Sequence, residues 1–309
     1  MLALLGTAGA APQEHLAARS RPRPRPRPRQ ENEEHDASPG TRGSGPMSTR
    51  TLDLRRCVRR DPIPALEIGD VTAADLEAAR TNWRARMASE HASARVFGAL
   101  VGGMMNAGLP ADETYRVADM VRQELEHARL CARVLVALRS APVAELSELP
   151  AVPEHADATP LEAVLRNVIS IGCCSETVAV ALVATEREQA GPPQVRRVLD
   201  QILRDEIKHS RFGWRLVSRL APALTPRERA SLGEYLVDAF AHQIRFHAPF
   251  LDMPCATDAG LAIGAPHGRS NWLVFVATME DVVVPGLERC GLAASEAWRE
   301  VTRAGRAAA

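Results

Sequence analysis

The sequence predicts an all-α protein, a four-helix bundle followed by additional C-terminal helices. Apolar residues recur at helical spacing in long segments that Pro- and Gly-containing turns separate, and no segment shows sustained strand alternation. In addition, the motif Glu-x-x-His occurs twice, at residues 124–127 and 206–209. Each copy places a carboxylate and an imidazole on one helix face, as expected for ligands inside a bundle.

The first part of the chain has the composition of a disordered tail. Residues 13–50 are rich in Arg, Pro, Glu, Ser and Gly and include an alternating Arg-Pro run from Arg21 to Arg29. Such a segment has little apolar surface to bury. We expect residues 1–50 to be either a disordered tail or an over-extended start, with Met47 as the alternative first residue. The folded helical domain is then 51–309.

The metal-binding bundle is expected over about residues 72–220, with Thr72 or Asp75 capping its first helix. The turn at 108–110 ends that helix, Pro160 suits the first turn of the third, and the Gly-Pro-Pro at 191–193 ends the third. The four helices are predicted at about 72–106, 111–138, 160–189 and 194–220.

Accessory helices are expected over about residues 225–305. Thr225 can cap a helix that extends to about residue 250, and a loop should occupy 252–270. A further helix covers about 271–290, where Pro285 should kink or split it. A short helix begins near Ala294. These helices would cover the bundle or form the contact of a homodimer.

The two Glu-x-x-His helices belong to a repeat. They share arginines at an offset of 82 residues, namely Arg122 with Arg204, Arg129 with Arg211 and Arg133 with Arg215. Glu90 and Glu176, each preceded by Ser, lie on the other two helices at an offset of 86. The repeat predicts a pseudo-twofold axis, across which two half-sites face each other.

The pattern places four carboxylates on apolar helix faces, where each unpaired one would cost several kcal/mol. Two divalent cations would balance the four charges, and two imidazoles would complete their coordination. The sequence therefore predicts a two-metal site with the ligands Glu90, Glu124, His127, Glu176, Glu206 and His209. Two alternatives remain at this stage. A lone Glu-x-x-His is usually a solvated helical pair, and Glu90 could instead pair with Arg86 or Arg95.

Two further polar residues are placed to orient the histidines. A metal-bound imidazole usually donates its second ring N–H to an acceptor. We expect Asp205 to receive it from His127 and Gln123 to receive it from His209. Small residues near the centre, Gly172 and Gly213 among them, would either leave room for a pocket or allow close helix packing.

With these residues the chain resembles the ferritin-like di-iron carboxylate superfamily over about residues 72–220. The resemblance implies that Glu124 and Glu206 bridge or lie between the metals, and that Glu90 and Glu176 are terminal ligands. It also implies two iron ions as cofactors, with manganese as the other candidate, because the ligand types suit both.

Departures from individual members narrow the reaction class. Ile202 stands where arylamine N-oxygenases carry an additional His, which argues against that class. Ribonucleotide reductase small subunits usually carry a radical tyrosine, and this chain has only Tyr115 and Tyr235. The expected function is a binuclear non-haem iron oxidoreductase that activates dioxygen to hydroxylate or oxidise a small organic substrate, with an electron-donor protein as partner. The alternatives are a peroxide- or iron-handling protein and a metal-free helical interaction protein.

Composition excludes several other classes. Net charge is zero, so neither nucleic acid nor an anionic membrane is an expected partner. No uncharged apolar run approaches the ~20 residues that span a bilayer. The six cysteines show no Cys-x-x-Cys pair, which argues against a structural zinc site. Cysteines within core helices suggest a reducing, cytoplasmic compartment.

Overall fold

The computed structural model describes residues 50–146 and 152–307, so nearly all of the expected tail lies outside the described residues. Within them the protein is all-α except for one short antiparallel ladder and an isolated bridge between Cys255 and His267, which confirms the predicted fold class. The ladder joins β1 (Arg50–Asp53) to β2 (Val143–Leu146), and the single turn α1 (Arg55–Val58) follows β1. The sequence did not predict these strands, because four residues are too few to show alternation.

Four long helices form the bundle close to their predicted bounds. They are α2 (Ala73–Asn106), α3 (Ala111–Ala137), a continuous helix over Pro160–Gln189 and α6 (Pro193–Leu220). The third consists of α4 (Pro160–Val168), a π-helical segment (Ile169–Ser175) and α5 (Glu176–Gln189). The hydroxyl of Thr72 accepts a hydrogen bond from the Asp75 amide, so Thr72 is the cap of α2.

Five accessory α-helices follow the bundle within the described residues. They are α7 (Pro226–His247), α8 (Asp258–Ala262), α9 (Gly268–Thr278), α10 (Val284–Arg289) and α11 (Ala294–Ala307). Thr225 and Glu228 form a capping box at the start of α7. A second π-helical segment, Met279–Val283, lies just before Pro285, where the sequence predicted a break. Because proline has no N–H to donate, the preceding turns are free to widen.

The core consists of two apolar clusters with a polar layer between them. On α2, Trp83 belongs to one cluster and Phe97 to the other, and Glu90 lies between them. On α6, Ile202 and Phe212 belong to opposite clusters in the same way. The Glu-x-x-His residues therefore occupy a layer that both clusters shield from solvent.

The helix Pro160–Gln189 crosses α6 at a pair of glycines. A Cβ built on Gly172 would lie 2.8 Å from the Cα of Gly213, and a Cβ on Gly213 would lie 2.7 Å from the Cα of Gly172. The two backbones are therefore in contact, and at this pair the interpretation as close helix packing is confirmed. No pocket opens between these two residues.

The same helix, Pro160–Gln189, is also long and apolar enough to cross a bilayer by length and composition, alone among the helices of the described residues. More than half of its most apolar stretch is buried within the protein, and Glu176 lies in that stretch. Its composition is therefore explained by its place in the core.

Candidate metal centre

The structure brings together all six residues that the sequence predicted as metal ligands. They come from all four bundle helices: Glu90 from α2, Glu124 and His127 from α3, Glu176 from α5, and Glu206 and His209 from α6. Each side chain is buried, and the most accessible, Glu90, has 6% of its surface exposed. The helical pattern therefore placed these residues correctly, while their binding of metal stays a prediction.

One half of the centre surrounds His127. Its Nδ1 atom lies 3.3 Å from Oε1 of Glu206, 3.7 Å from Oε2 of Glu90 and 3.9 Å from Oε2 of Glu124. These four residues offer donor atoms that all lie within 4.8 Å of one another. That spacing is compact enough for one cation to contact all four.

The other half surrounds His209. Its Nδ1 atom lies 3.0 Å from Oε1 of Glu124, 3.4 Å from Oε2 of Glu206 and 3.5 Å from Oε2 of Glu176. These four residues also offer donor atoms within 4.8 Å of one another. The two halves thus repeat each other, as the pseudo-twofold repeat in the sequence predicted.

Glu124 and Glu206 belong to both halves, because their two carboxylate oxygens contact different histidines. The ring centroids of the two histidines are 6.0 Å apart. Glu90 and Glu176 each belong to one half only. The two groups of possible ligands therefore share two carboxylates, and each group has one further carboxylate of its own.

The donor atoms at the centre lack ordinary hydrogen-bond partners within the described residues. Both oxygens of Glu124 and of Glu176 are buried without one, as are the Nδ1 atoms of both histidines. Buried polar groups in proteins are almost always satisfied, so such a group of orphaned atoms points to a missing ligand. Four carboxylates and two imidazoles suit a pair of divalent transition metals, so these residues fit two cations.

Burial and mutual repulsion perturb the carboxyl groups. Burial, together with the charge of Glu206, raises the pKa of Glu124 to about 8. The same two causes raise the pKa of Glu176 well above its ordinary value. Burial also opposes the charge on Glu206, yet contacts with Glu176 and both histidines outweigh it and hold its pKa well below the ordinary value.

The two imidazoles favour their charged form despite their burial. Burial disfavours their charged form, but the carboxylates that face them outweigh it, so the pKa of both His127 and His209 lies well above its ordinary value. In the metal-free protein, protons thus take the place of cations. Because ligands must be deprotonated to bind, metal binding should release these protons.

The outer nitrogens of the two histidines have the partners that the sequence predicted. His127 Nε2 lies 3.4 Å from Oδ2 of Asp205, and His209 Nε2 lies 2.8 Å from Oε1 of Gln123. Asp205 also accepts hydrogen bonds from Gln201 at 2.7 Å and from Lys208 at 2.8 Å. Both rings therefore have their Nδ1 atoms turned toward the carboxylates.

The alternative in which Arg86 neutralises Glu90 is not what the structure shows. Arg86 is buried and forms its ion pair with Glu186 of α5. The nearest partner of Glu90 Oε2 in the centre is the imidazole of His127. Oε2 of Glu90, which is buried without a hydrogen-bond partner among the described residues, therefore stays available to a metal.

Sequence reasoning missed a pair of hydroxyl groups beside the centre. Thr177 Oγ1 and Ser210 Oγ are 2.8 Å apart, and the indole N–H of Trp214 donates to Thr177 Oγ1 at 3.0 Å. Thr177 follows Glu176 and Ser210 follows His209, so the contact links the neighbours of two residues in the same half-site. Adjacency to the ligand positions was the signal that could have revealed it.

The π-helical segment that precedes Glu176 was also missed. Its seven residues end at Ser175, immediately before the ligand position. Sequence periodicity gives no signal for so local a widening of the helix. Such segments occur frequently at functional sites.

No protein-family model matches this chain, and no curated protein matches it. Among solved structures, one described as a protein with aldehyde deformylating oxidase activity from Synechococcus is similar. The TM-score is 0.49 and the sequence identity is 19%, with 77% of this chain and 100% of that chain covered. A likeness this distant carries no argument about activity.

Proposed function

We propose that this protein is a binuclear non-haem iron oxidoreductase that uses dioxygen to hydroxylate or otherwise oxidise a small organic substrate. One observation carries the proposal: two sets of four buried ligand residues share Glu124 and Glu206 inside one bundle. Four buried carboxylates are costly unless cations or protons neutralise them, and two divalent cations balance all four charges. Shared carboxylates let one site hold two metals close together, which suits chemistry that needs more than one electron.

Two iron ions bound here would supply the electrons that activate dioxygen. The residues of the chain would hold and insulate them. Glu124 and Glu206 would hold both metals, and the outer contacts of the histidines would fix the ring orientation. The two apolar clusters on either side would keep water from the centre, where charge interactions are stronger than in solvent.

Elemental analysis and the optical spectrum of protein produced in iron-rich medium test this proposal. We expect about two iron ions per chain, an oxo-bridged di-iron absorption band and dioxygen consumption after reduction. Fewer than about 0.2 metal ions per folded chain would exclude a metalloenzyme. Rapid dioxygen-independent peroxide decay, or iron loading far above two ions per chain, would identify a peroxide- or iron-handling protein instead.

An electron-donor protein is part of the proposal, and a basic surface supports it. A cavity of about 260 Å³ lies outside the centre between α3 and α6, where Gln123, the partner of His209, lines it. Four cations and one carboxylate, that of Asp119, line the same cavity, and the cations are Arg116, Lys208, Arg211 and Arg215. Lys208 and Arg215 also form ion pairs with Asp205 and Glu113, so Arg116 and Arg211 contribute most of the excess positive charge. Opposite charges steer encounter between proteins, so this surface suits an acidic redox partner.

Reduction by a plant-type [2Fe–2S] ferredoxin, an acidic donor, tests this part of the proposal. We expect Arg211→Glu to slow reduction of the metal centre about tenfold at low salt, and the difference should shrink as salt screens the charges. Reduction by an uncharged mediator should be unchanged and serves as the control. Equal ferredoxin rates in wild type and variant would exclude this surface as the docking site.

A further inference from the structure

We propose that helix α7, which lies outside the metal-binding bundle, positions Glu176 through a contact between Gln243 and Ser175. Gln243 is thereby a positioning residue for the metal held by Glu176 and His209. This inference rests on the proposed function, because it assigns a role toward the same two-metal centre. The inference concerns one half-site only, so an experiment that resolves the two metal sites can test it separately from the proposed function.

The contact is fully buried. Gln243 has 0% of its surface exposed, and its Nε2 donates a hydrogen bond to Ser175 Oγ at 2.9 Å. The hydroxyl of Ser175 in turn donates to the carbonyl oxygen of Ser170 at 3.1 Å. Ser170 and Ser175 lie at the two ends of one π-helical turn, so the three groups form a chain that runs from α7 into that turn.

The π-helical segment makes this contact important. A π turn is rare and persists only where its surroundings stabilise it. Ser175 ends the segment, and Glu176 is the next residue. Because both oxygens of Glu176 lack an ordinary hydrogen-bond partner within the described residues, the backbone that Ser175 stabilises has the main part in placing this carboxylate.

Other contacts hold α7 in place independently of Gln243. The hydroxyl of Thr159 donates to Glu228 at 2.8 Å, and Arg166 donates to Ser231 Oγ at 2.8 Å. Both join the N-terminal part of α7 to α4. Loss of the Gln243 amide should therefore relax the π turn without detaching α7.

The two terminal ligands differ in this respect. Glu90 lies within the uninterrupted α-helix α2, whose backbone hydrogen bonds already fix it. Glu176 follows a widened turn and depends on a side chain from outside the bundle. Loss of the contact between Gln243 and Ser175 should therefore weaken binding of the metal at Glu176 and His209. Binding of the metal at Glu90 and His127 should be unchanged.

Titration of metal-free protein with Co²⁺, followed by its visible absorption, tests the inference. Wild type should bind two Co²⁺ tightly. Gln243→Met keeps the length of the side chain but removes the amide, and we expect one tight site and a second weakened at least about tenfold. Ser175→Ala should do the same from the other side of the contact. The double variant should be no weaker than Ser175→Ala alone, because Ser175→Ala already removes the contact that Gln243→Met breaks.

Ser231→Ala is the matched control, because it removes another contact between α7 and the helix Pro160–Gln189 while leaving the π turn intact. It should bind Co²⁺ as wild type does. Far-UV circular dichroism verifies folding, and Ser175→Ala carries the test if Gln243→Met does not fold. If Gln243→Met and Ser175→Ala both keep two wild-type sites, or if they weaken both sites equally, the inference is overturned but the proposed function is not. A wild-type protein that binds no pair of Co²⁺ would overturn the proposed function itself.

Discussion

At the residue scale, buried glutamates of this protein fall into two groups that look alike in the sequence. Glu113 and Glu162 lie against arginines, with Arg219 at 2.9 Å and Arg166 at 2.7 Å. Glu124 and Glu176 face other carboxylates and histidines and have no cationic arginine or lysine partner among the described residues. The absence of such a partner is what marks them as candidate ligands.

Glutamine substitutions separate shared from terminal ligands. We expect Glu124→Gln to weaken both metals, because its two oxygens serve both half-sites, whereas Glu176→Gln should weaken only one. Each loss should be about tenfold or more in affinity, measured by metal content and Co²⁺ titration.

Glu162→Gln is the control, because it changes a buried glutamate on the same long helix that pairs with Arg166. It should keep both metals and lower the free energy of unfolding by up to about 3 kcal/mol, since it leaves a buried arginine less well paired. Equal effects of Glu124→Gln and Glu176→Gln on metal content would contradict the assignment of a shared carboxylate.

His247 shows how burial can determine the charge of a histidine. Its ring stacks on Phe275 with centroids 4.4 Å apart and meets the edge of Phe246 at 4.7 Å. Burial lowers the pKa of His247 to about 3, so the folded protein keeps the ring neutral. The unfolded chain takes up a proton below about pH 6.5.

Stability should therefore fall with acid through His247. Its contribution is intact above about pH 6.5 and is lost as the pH falls from there toward 3. Between pH 7.5 and 5, we expect wild type to lose about 2 kcal/mol more in unfolding free energy than His247→Phe, measured by urea unfolding. Identical pH dependence in the two proteins would show that His247 is not buried as a neutral ring.

At the element scale, the candidate metal centre depends on how closely two helices approach. The glycine pair Gly172 and Gly213 lets the helix Pro160–Gln189 contact α6 by backbone, one turn from Glu176 and His209. The π-helical segment lies at the same crossing. Close approach and the widened turn together place Glu176 opposite the ligands of α6.

Gly172→Ala should therefore push the two helices apart. We expect a loss of about 1–3 kcal/mol in unfolding free energy and weaker binding of the metal at Glu176 and His209. Gly102→Ala on α2 is the control, because no heavy atom lies within 4 Å of its Cβ position. That change should stabilise the protein by about 0.5–1 kcal/mol through helix propensity. Equal stability of the two variants, measured by urea unfolding, would contradict the close contact.

At the scale of the whole molecule, the core of the described residues consists of two apolar clusters separated by a layer of buried carboxylates and imidazoles. Bringing four carboxylates into such a layer opposes folding unless cations or protons neutralise them. The metals would therefore contribute to folding stability as well as to chemistry. Binding to the folded state alone stabilises a protein in proportion to the logarithm of ligand concentration over Kd.

Removal of metal by a chelator should lower the melting temperature, and addition of Fe²⁺ without oxygen should restore it. At a free metal concentration of about 100 times Kd, each site contributes about 2.7 kcal/mol. Differential scanning calorimetry of the loaded and metal-free forms measures this. The double variant Glu124→Gln with Glu206→Gln should show no response to metal. A wild-type melting temperature that is independent of metal would contradict this role.

Much of the fold could be predicted because its signals are local. The four bundle helices follow from apolar periodicity, and Thr72, Pro160 and Thr225 mark the starts of α2, α4 and the accessory helix α7. The observed helices begin and end close to the predicted positions. The two short strands, helix α8 and both π-helical segments were not predicted. The strands arise from pairing between distant segments, and the other elements are too short to leave a periodic pattern.

The sequence by itself determined which residues meet at the centre. Two Glu-x-x-His motifs and two lone glutamates on apolar helix faces can be buried together only in a bundle, because helical periodicity fixes the direction in which each side chain points. Only the tertiary structure decided how they meet. The separations between the ligand atoms, the pairing of Arg86 with Glu186 and the contact of Gln243 with Ser175 depend on distances between helices, and helix packing sets these distances.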